Sequence, residues 1–163
     1  MKIDISLSAD SFLNAAAELR KYADSLQGKS ETLVQKLGDK GVEKANLYLE
    51  HDDTGETRNS IQFARNGAEG TVSVGGAAVW IEFGTGVLRN AGSGHPKKSE
   101  LGMADWGTYG QGHGADPNGW YFPSRYYGWT ITKGIQMNPF MYSASQDMRM
   151  DLLDTAKEVF RSD

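Results

Sequence analysis

The sequence predicts an α+β fold: an antiparallel sheet packed by two N-terminal helices and one C-terminal helix, with a long glycine- and aromatic-rich loop inserted. Three observations predict it. Apolar residues recur at helical spacing at both ends of the chain, the spacing falls to two around Asn66-Gly67, and neither strand-helix-strand alternation nor an internal repeat is present. The 163 residues, 39% hydrophobic and 23% charged, suit a single domain over 1–163.

The first helix is read from Phe12, Leu13, Ala16, Leu19, Tyr22, Ala23 and Leu26 over residues 9–26. Ser8 and Asp10 are its candidate N-caps and Gly28 its stop. A second helix is expected from about Ser30 to Glu50, with Val34, Leu37, Ala45, Tyr48 and Leu49 on one side and Thr32-x-x-Gln35 as an alternative start shaped like a capping box. Gly38 and Gly41 each cost this helix about 1 kcal/mol, so it should be weak or bent unless packing holds it. Residues 60–74 then read as a hairpin turning at Asn66-Gly67, because Ile61 and Phe63, and later Thr71 to Val74, alternate with their neighbours. Residues 77–83 form an apolar run too short to separate strand from helix.

Residues 84–128 hold 11 of the 20 glycines and two of the three histidines with no sustained period, which reads as a long loop. Eight of the 17 aromatic residues fall between Trp106 and Trp129, so that loop should be covered by something rather than simply disordered. A short alternating piece, Trp129-Thr130-Ile131-Thr132, leads to Asn138-Pro139, an N-cap followed by a first-turn proline. Met141, Ala144, Met148, Leu152, Ala156 and Val159 mark the buried face of the last helix.

Composition excludes several functions. A net charge of −4, spread evenly, gives no field to gather nucleic-acid backbone. Zero cysteines remove disulfides, thiolate metal sites and a Cys nucleophile. The N-terminus shows no signal segment and no run is long enough to span a membrane. His51, His95 and His113 lack metal-ligand spacing and read as solvated loop histidines. Residues 92–99 miss the second glycine of a phosphate loop, and Gly110-Gln111-Gly112-His113-Gly114 lacks a strand-then-helix context. Glu82 is the one acid set in an apolar run; its bland role is a bond to backbone or to an arginine such as Arg58. No catalytic, cofactor or metal set is expected.

Three short segments carry a family resemblance. Thr54-Gly55-Glu56-Thr57-Arg58-Asn59-Ser60-Ile61 resembles a TG-x-L-R-x-S-I step, Trp80-Ile81-Glu82-Phe83-Gly84-Thr85-Gly86 a Y-V-E-F-G-T signature, and Asn138-Pro139-Phe140-Met141-x-x-Ala144 a closing P-F-L-x-P-A helix start. In this order the three resemble the neck or tail-completion proteins that join head and tail in long-tailed bacteriophages, including the lambda-like tail component. Thr57 stands where an apolar residue is usual and Ser143 where a second proline is common. The resemblance implies a non-enzymatic structural protein of the virion neck, present in host cytoplasm during assembly. It would form a six-fold homo-oligomeric ring against head-closure or connector proteins and tail-terminator or tail-tube proteins, with DNA only as passing cargo and no membrane. Thr54, Gly55, Arg58, Glu82, Phe83, Gly84, Thr85, Pro139 and Phe140 would be its structural residues, with Gly84 or Gly86 at positive φ. Ring contacts need aromatic and Arg anchors, which makes Arg89, Trp106, Tyr109, Trp120, Tyr121, Phe122, Arg125, Tyr126 and Tyr127 the candidate interface. Arg89, Lys97, Lys98 and Arg125, the loop's basic residues, read as solvated charge. The alternative left open is a glycan-binding module or glycan hydrolase, using Glu82 and platforms such as Trp106, Trp120 and Trp129.

Overall fold

The computed structural model describes residues 8–50, 52–88, 95–97, 100, 118–124 and 126–161. In chain order these form helix α1 (Ala9–Tyr48), helix α2 (Glu56–Asn59), strands β1 (Gln62–Asn66) and β2 (Glu69–Ser73), helix α3 (Ala78–Phe83), a 3-10 turn (Gly86–Leu88), strands β3 (Trp120–Ser124) and β4 (Gly128–Thr132), and helix α4 (Phe140–Arg161). The class is α+β, as the sequence predicts. The expected single sheet is instead two separate antiparallel ribbons, β1 with β2 and β3 with β4.

The two expected N-terminal helices are one continuous helix of 40 residues. Ser8 caps it, its hydroxyl accepting from Ser11 N at 3.2 Å. Gly28 does not stop it, because a single glycine costs only about 1 kcal/mol and no proline follows. The hydroxyls of Ser30 and Thr32 donate back to the carbonyls of Leu26 and Gly28 (2.8 and 2.9 Å), so Thr32 completes a helical turn and caps nothing. The C-terminal half of α1 packs on α4, antiparallel, through Lys36 to Glu158 (2.5 Å), Lys40 to Asp151 and Thr155 (both 3.2 Å) and Tyr48 to Asp147 (2.6 Å). The N-terminal half keeps Phe12, Leu13, Leu19, Tyr22 and Leu26 exposed, which overturns the expectation that this face joins the core.

Gly38 and Gly41 are where packing outweighs propensity. A Cβ at Gly38 would lie 2.3 Å from the Phe63 ring of β1, and one at Gly41 would lie 2.6 Å from Met148 Sδ of α4. The glycines let both elements close onto the helix. Identical substitutions in this one helix should therefore differ in sign. Gly28→Ala, with nothing within 4 Å, is expected to stabilise by up to about 1 kcal/mol. Gly38→Ala should destabilise by about 1 to 2 kcal/mol, since displacing the ring costs more than the propensity returns. Urea midpoints of the pair check both.

The β1–β2 hairpin spans the expected residues, but its turn is shifted by one. Asn66 pairs with Glu69, leaving Gly67 and Ala68 as the central pair, with Gly67 at φ 59° as a two-residue turn with glycine first requires. Arg65 ties the ribbon to α1 through Glu31 Oε2 (3.0 Å). The ambiguous run 77–83 is helical. The core is small and sits where the elements meet: Ala45, Leu49, Ile61, Ala78, Ile81, Phe140 and Ala144, flanked by Val42, Val72, Val74 and Met141. On α4 the buried stripe is Phe140, Ala144, Thr155 and Val159; Leu152 is exposed, contrary to expectation, because Lys40 reaches Asp151 and Thr155 and so fixes which side of α4 faces α1.

The exposed ion pairs add a pH dependence. Hydrogen bonds from Lys36 and from Arg65 hold the carboxyls of Glu158 and Glu31, respectively, below the ordinary carboxylate range. A carboxyl depressed in the folded state stabilises above its unfolded pKa and loses that contribution as pH falls through the folded one. The melting temperature of Glu158→Gln should thus lie slightly below that of the parent at about pH 6, and the two should converge below about pH 4.

Candidate functional site

The three motif-bearing segments meet at one junction, where the end of α1 abuts the start of α4. The last carbonyls of α1 lack intrahelical donors and attract positive charge. Arg58 supplies it, donating from Nη1 to Asn46 O (2.6 Å) and from Nη2 to Leu49 O (3.0 Å). Arg58 therefore does not pair with Glu82, as the sequence suggests; the carbonyl cluster at the helix end is the nearer and more demanding acceptor. Its own backbone is fixed by Asp52, whose carboxylate accepts from Thr57 N (3.3 Å) and Arg58 N (2.8 Å). Gly55 takes φ 74° to enter α2, and Thr54 Oγ1 accepts from Glu56 N. Thr57 is buried despite its hydroxyl.

Asn138 does not cap α4 either. Its Oδ1 accepts from Glu50 N (2.7 Å), its Nδ2 donates to Tyr48 O (3.1 Å), and its backbone N donates to Ile81 O (2.8 Å), so one residue stitches α1 to α3. Pro139 lies at the helix start as expected, its carbonyl accepting from Ser143 N, and Phe140 is wholly buried.

The cap of α4 comes from Glu82, 59 residues back along the chain. Its Oε2 accepts from Met141 N (2.9 Å) and its Oε1 from Tyr142 N (3.0 Å), placing a carboxylate on the positive end of a 22-residue helix. Oε1 also meets His95 Nε2 at 3.0 Å. His95 Nδ1 accepts from Lys97 N (3.1 Å), so the proton sits on Nε2 and the imidazole is neutral. The ring lies 4.3 Å from the Phe83 ring, centroid to centroid, and edge-on to Tyr142. His95 is buried, correcting its reading as a solvated loop residue; a lone histidine before a proline gives no signal of this in sequence. Every oxygen of Glu82 and both nitrogens of His95 are engaged in holding backbone or each other. The carboxylate serves as a cap.

Beside this pair opens a cleft of about 370 Å³ lined by Val74, Ala78, Val79, Phe83, Met141 and Tyr142, with Lys97 at its edge. Among the described residues no group of three His, Asp or Glu side chains could hold a metal, and no helix is long and apolar enough to cross a membrane.

No family model, no curated protein and no solved structure matches this chain.

The Gly84-Thr85-Gly86 step carries the chain from the junction toward the aromatic ribbon. Thr85 pairs with Ile135 in both directions: its N donates to Ile135 O (2.8 Å), and its Oγ1 accepts from Ile135 N (2.9 Å). Gly84 and Gly86 both take positive φ (71° and 60°), as expected, and a Cβ at Gly86 would stand 2.4 Å from Lys133 O. The β3–β4 ribbon rises from this seat, with Trp120 against Gly86. Part of the expected loop is thus strand: β3 lay hidden in a stretch without alternation because it buries little on either face. Tyr121 pairs with Ile131 and Pro123 with Trp129, so these four share one face; Tyr121 and Trp129 are 67% and 73% exposed. Phe122, Tyr126 and Tyr127 are exposed as well. Of the candidate interface residues, Trp120, Tyr121, Phe122, Tyr126 and Tyr127 therefore gather on this ribbon. Arg89, Trp106, Tyr109 and Arg125 lie outside the described residues, as do Lys98, His51, His113 and most of the expected 84–128 loop.

Proposed function

We propose that this chain is a structural subunit of the neck of a long-tailed phage, closing a homo-oligomeric ring of about six copies between head-closure and tail proteins. The observation that carries the reading is convergence. The three segments that resemble the family's motifs are the same three that cap and stitch one another at the α1–α4 junction, through Arg58, Glu82 and Asn138. A set of short likenesses scattered by chance has no reason to make mutual contacts. The exposed aromatic ribbon supports the reading in a second way, since rings close through two unlike surfaces on each subunit and hot spots favour Tyr and Trp.

The test is assembly. Negative-stain imaging of concentrated protein, alone and mixed with purified siphophage tails and connector complexes, is expected to show rings seated at tail or connector ends. Neither rings nor co-sedimentation with tails or connectors would overturn the reading. Tryptophan fluorescence should stay unchanged across a glycan panel; quenching or a blue shift would favour a glycan-binding role for Trp129 and its neighbours instead.

A further inference from the structure

The projecting half of α1 carries a seam of its own. Phe12, Ala15, Leu19, Tyr22 and Leu26 follow one another at spacings of three, four, three and four, the 3.5-residue repeat by which two helices pack knobs into holes. Four of the five are exposed, at 37% to 55%, and only the small Ala15 is buried. Ala16 and Ala23 flank the seam and allow close approach. Acidic and basic residues nearly balance over 9–32, with Asp10, Glu18, Asp24 and Glu31 against Arg20, Lys21 and Lys29, so two such segments do not repel strongly.

The seam continues the face that α4 covers. At 100° per residue Phe12, Gly41 and Tyr48 fall within about 20° of one another, and Gly41 and Tyr48 face Met148 and Asp147 of α4. With Lys36 opposite Glu158, the end of α4 at Arg161 lies level with about residue 33 of α1. Beyond that point α1 runs on for about 24 residues, or about 36 Å.

We propose that this overhang pairs with the same segment of a second copy, antiparallel, in a two-fold dimer that lays each α1 along the other where α4 leaves off. Two independent observations give nearly the same register. Filling the overhang end to end brings residue 9 of one copy level with residue 32 or 33 of the other, so that facing residue numbers sum to 41 or 42. Matching one seam to the other sets Leu19 against Tyr22 and Ala15 against Leu26 of the second copy, small against large, and those numbers sum to 41. In this register the N-terminus of each α1 also abuts the C-terminus of the other copy's α4, positive helix end to negative. The pairing stands apart from the neck reading, which concerns the junction and the aromatic ribbon.

Light scattering on the eluting full chain is expected to give twice the 17.8 kDa chain mass, and Leu19→Glu, at an exposed position, to give one chain mass with helix content by circular dichroism retained. Orientation is read by cross-linking, which the cysteine-free chain allows. A mixture of Leu19→Cys and Tyr22→Cys proteins should oxidise to a disulfide dimer several-fold faster than either alone. Faster cross-linking of each variant with itself means parallel pairing and overturns the proposal. So does a parent protein that stays monomeric at high concentration, which would mean that the chain's own residues cover the seam. Rings that persist in Leu19→Glu, without any dimer in the parent, would overturn the pairing and leave the neck reading standing.

Discussion

Replacing Glu82 with alanine should lower the unfolding free energy by about 3 kcal/mol, among the larger effects available to a single side chain here. The carboxylate accepts from two backbone amides at the start of α4 and from His95 Nε2, and it is 7% exposed, so water cannot take over these bonds when it is removed. Each abandoned buried donor costs about 1 kcal/mol or more, and the helix loses the anion at its positive end. Glu82→Gln keeps one acceptor oxygen but turns an amide toward donors, so it should recover only part of the loss. Urea unfolding of the two variants measures the order. Equal stability of all three proteins would mean that α4 starts without this cap.

An alanine at Gly134 should cost a comparable amount, about 3 kcal/mol, by a different route. Its φ of 106° lies in the left-handed region, and a Cβ there would stand 2.1 Å from the Thr85 carbonyl oxygen. That oxygen belongs to backbone fixed by the paired bonds between Thr85 and Ile135, so it cannot swing aside as a side-chain tip would. Gly128, at φ 67° with nothing within 4 Å, is the built-in control. Gly128→Ala should carry only the left-handed cost of about 1 kcal/mol, and the difference between the two variants isolates the backbone collision. Near-ultraviolet circular dichroism should change in Gly134→Ala above all, because the seat of the Trp120 and Trp129 ribbon moves.

Much of the fold was legible because local rules and tertiary structure agree. Ser8 as a cap, the 60–74 hairpin and the last helix each rest on a pattern that neighbouring residues complete. Gly28 misled because glycine's helix cost is small against a favourable flanking sequence, and the two ends of a 40-residue helix have different environments that one period does not report. Residues 120–124 misled in the opposite sense, since a ribbon exposed on one face leaves no alternation to read. The junction was legible only as a resemblance. Its motifs name Arg58, Glu82 and Pro139, but which group each one serves is settled by contacts across 9, 59 and 88 residues of chain, as in Arg58 with Leu49, Glu82 with Met141 and Asn138 with Glu50. Asn138 and Asp52 show the same limit: both look like local caps, and only Asp52 acts as one. His95 had no signal at all.

Helix α1 is buttressed over one half and bare over the other, and that difference translates into time. Amide hydrogens in its C-terminal half are protected by the global stability of the domain, because opening them requires parting α1 from α4 and from the first hairpin. Those of residues 9–30 need only a local fray of a solvent-facing helix, so in an isolated chain they should exchange orders of magnitude faster, with the step near Gly28 where a sequence reader would have cut the helix in two. Whatever comes to lie on the projecting half will be recorded there first, as a slowing of exchange along an apolar stripe that the domain itself leaves wet.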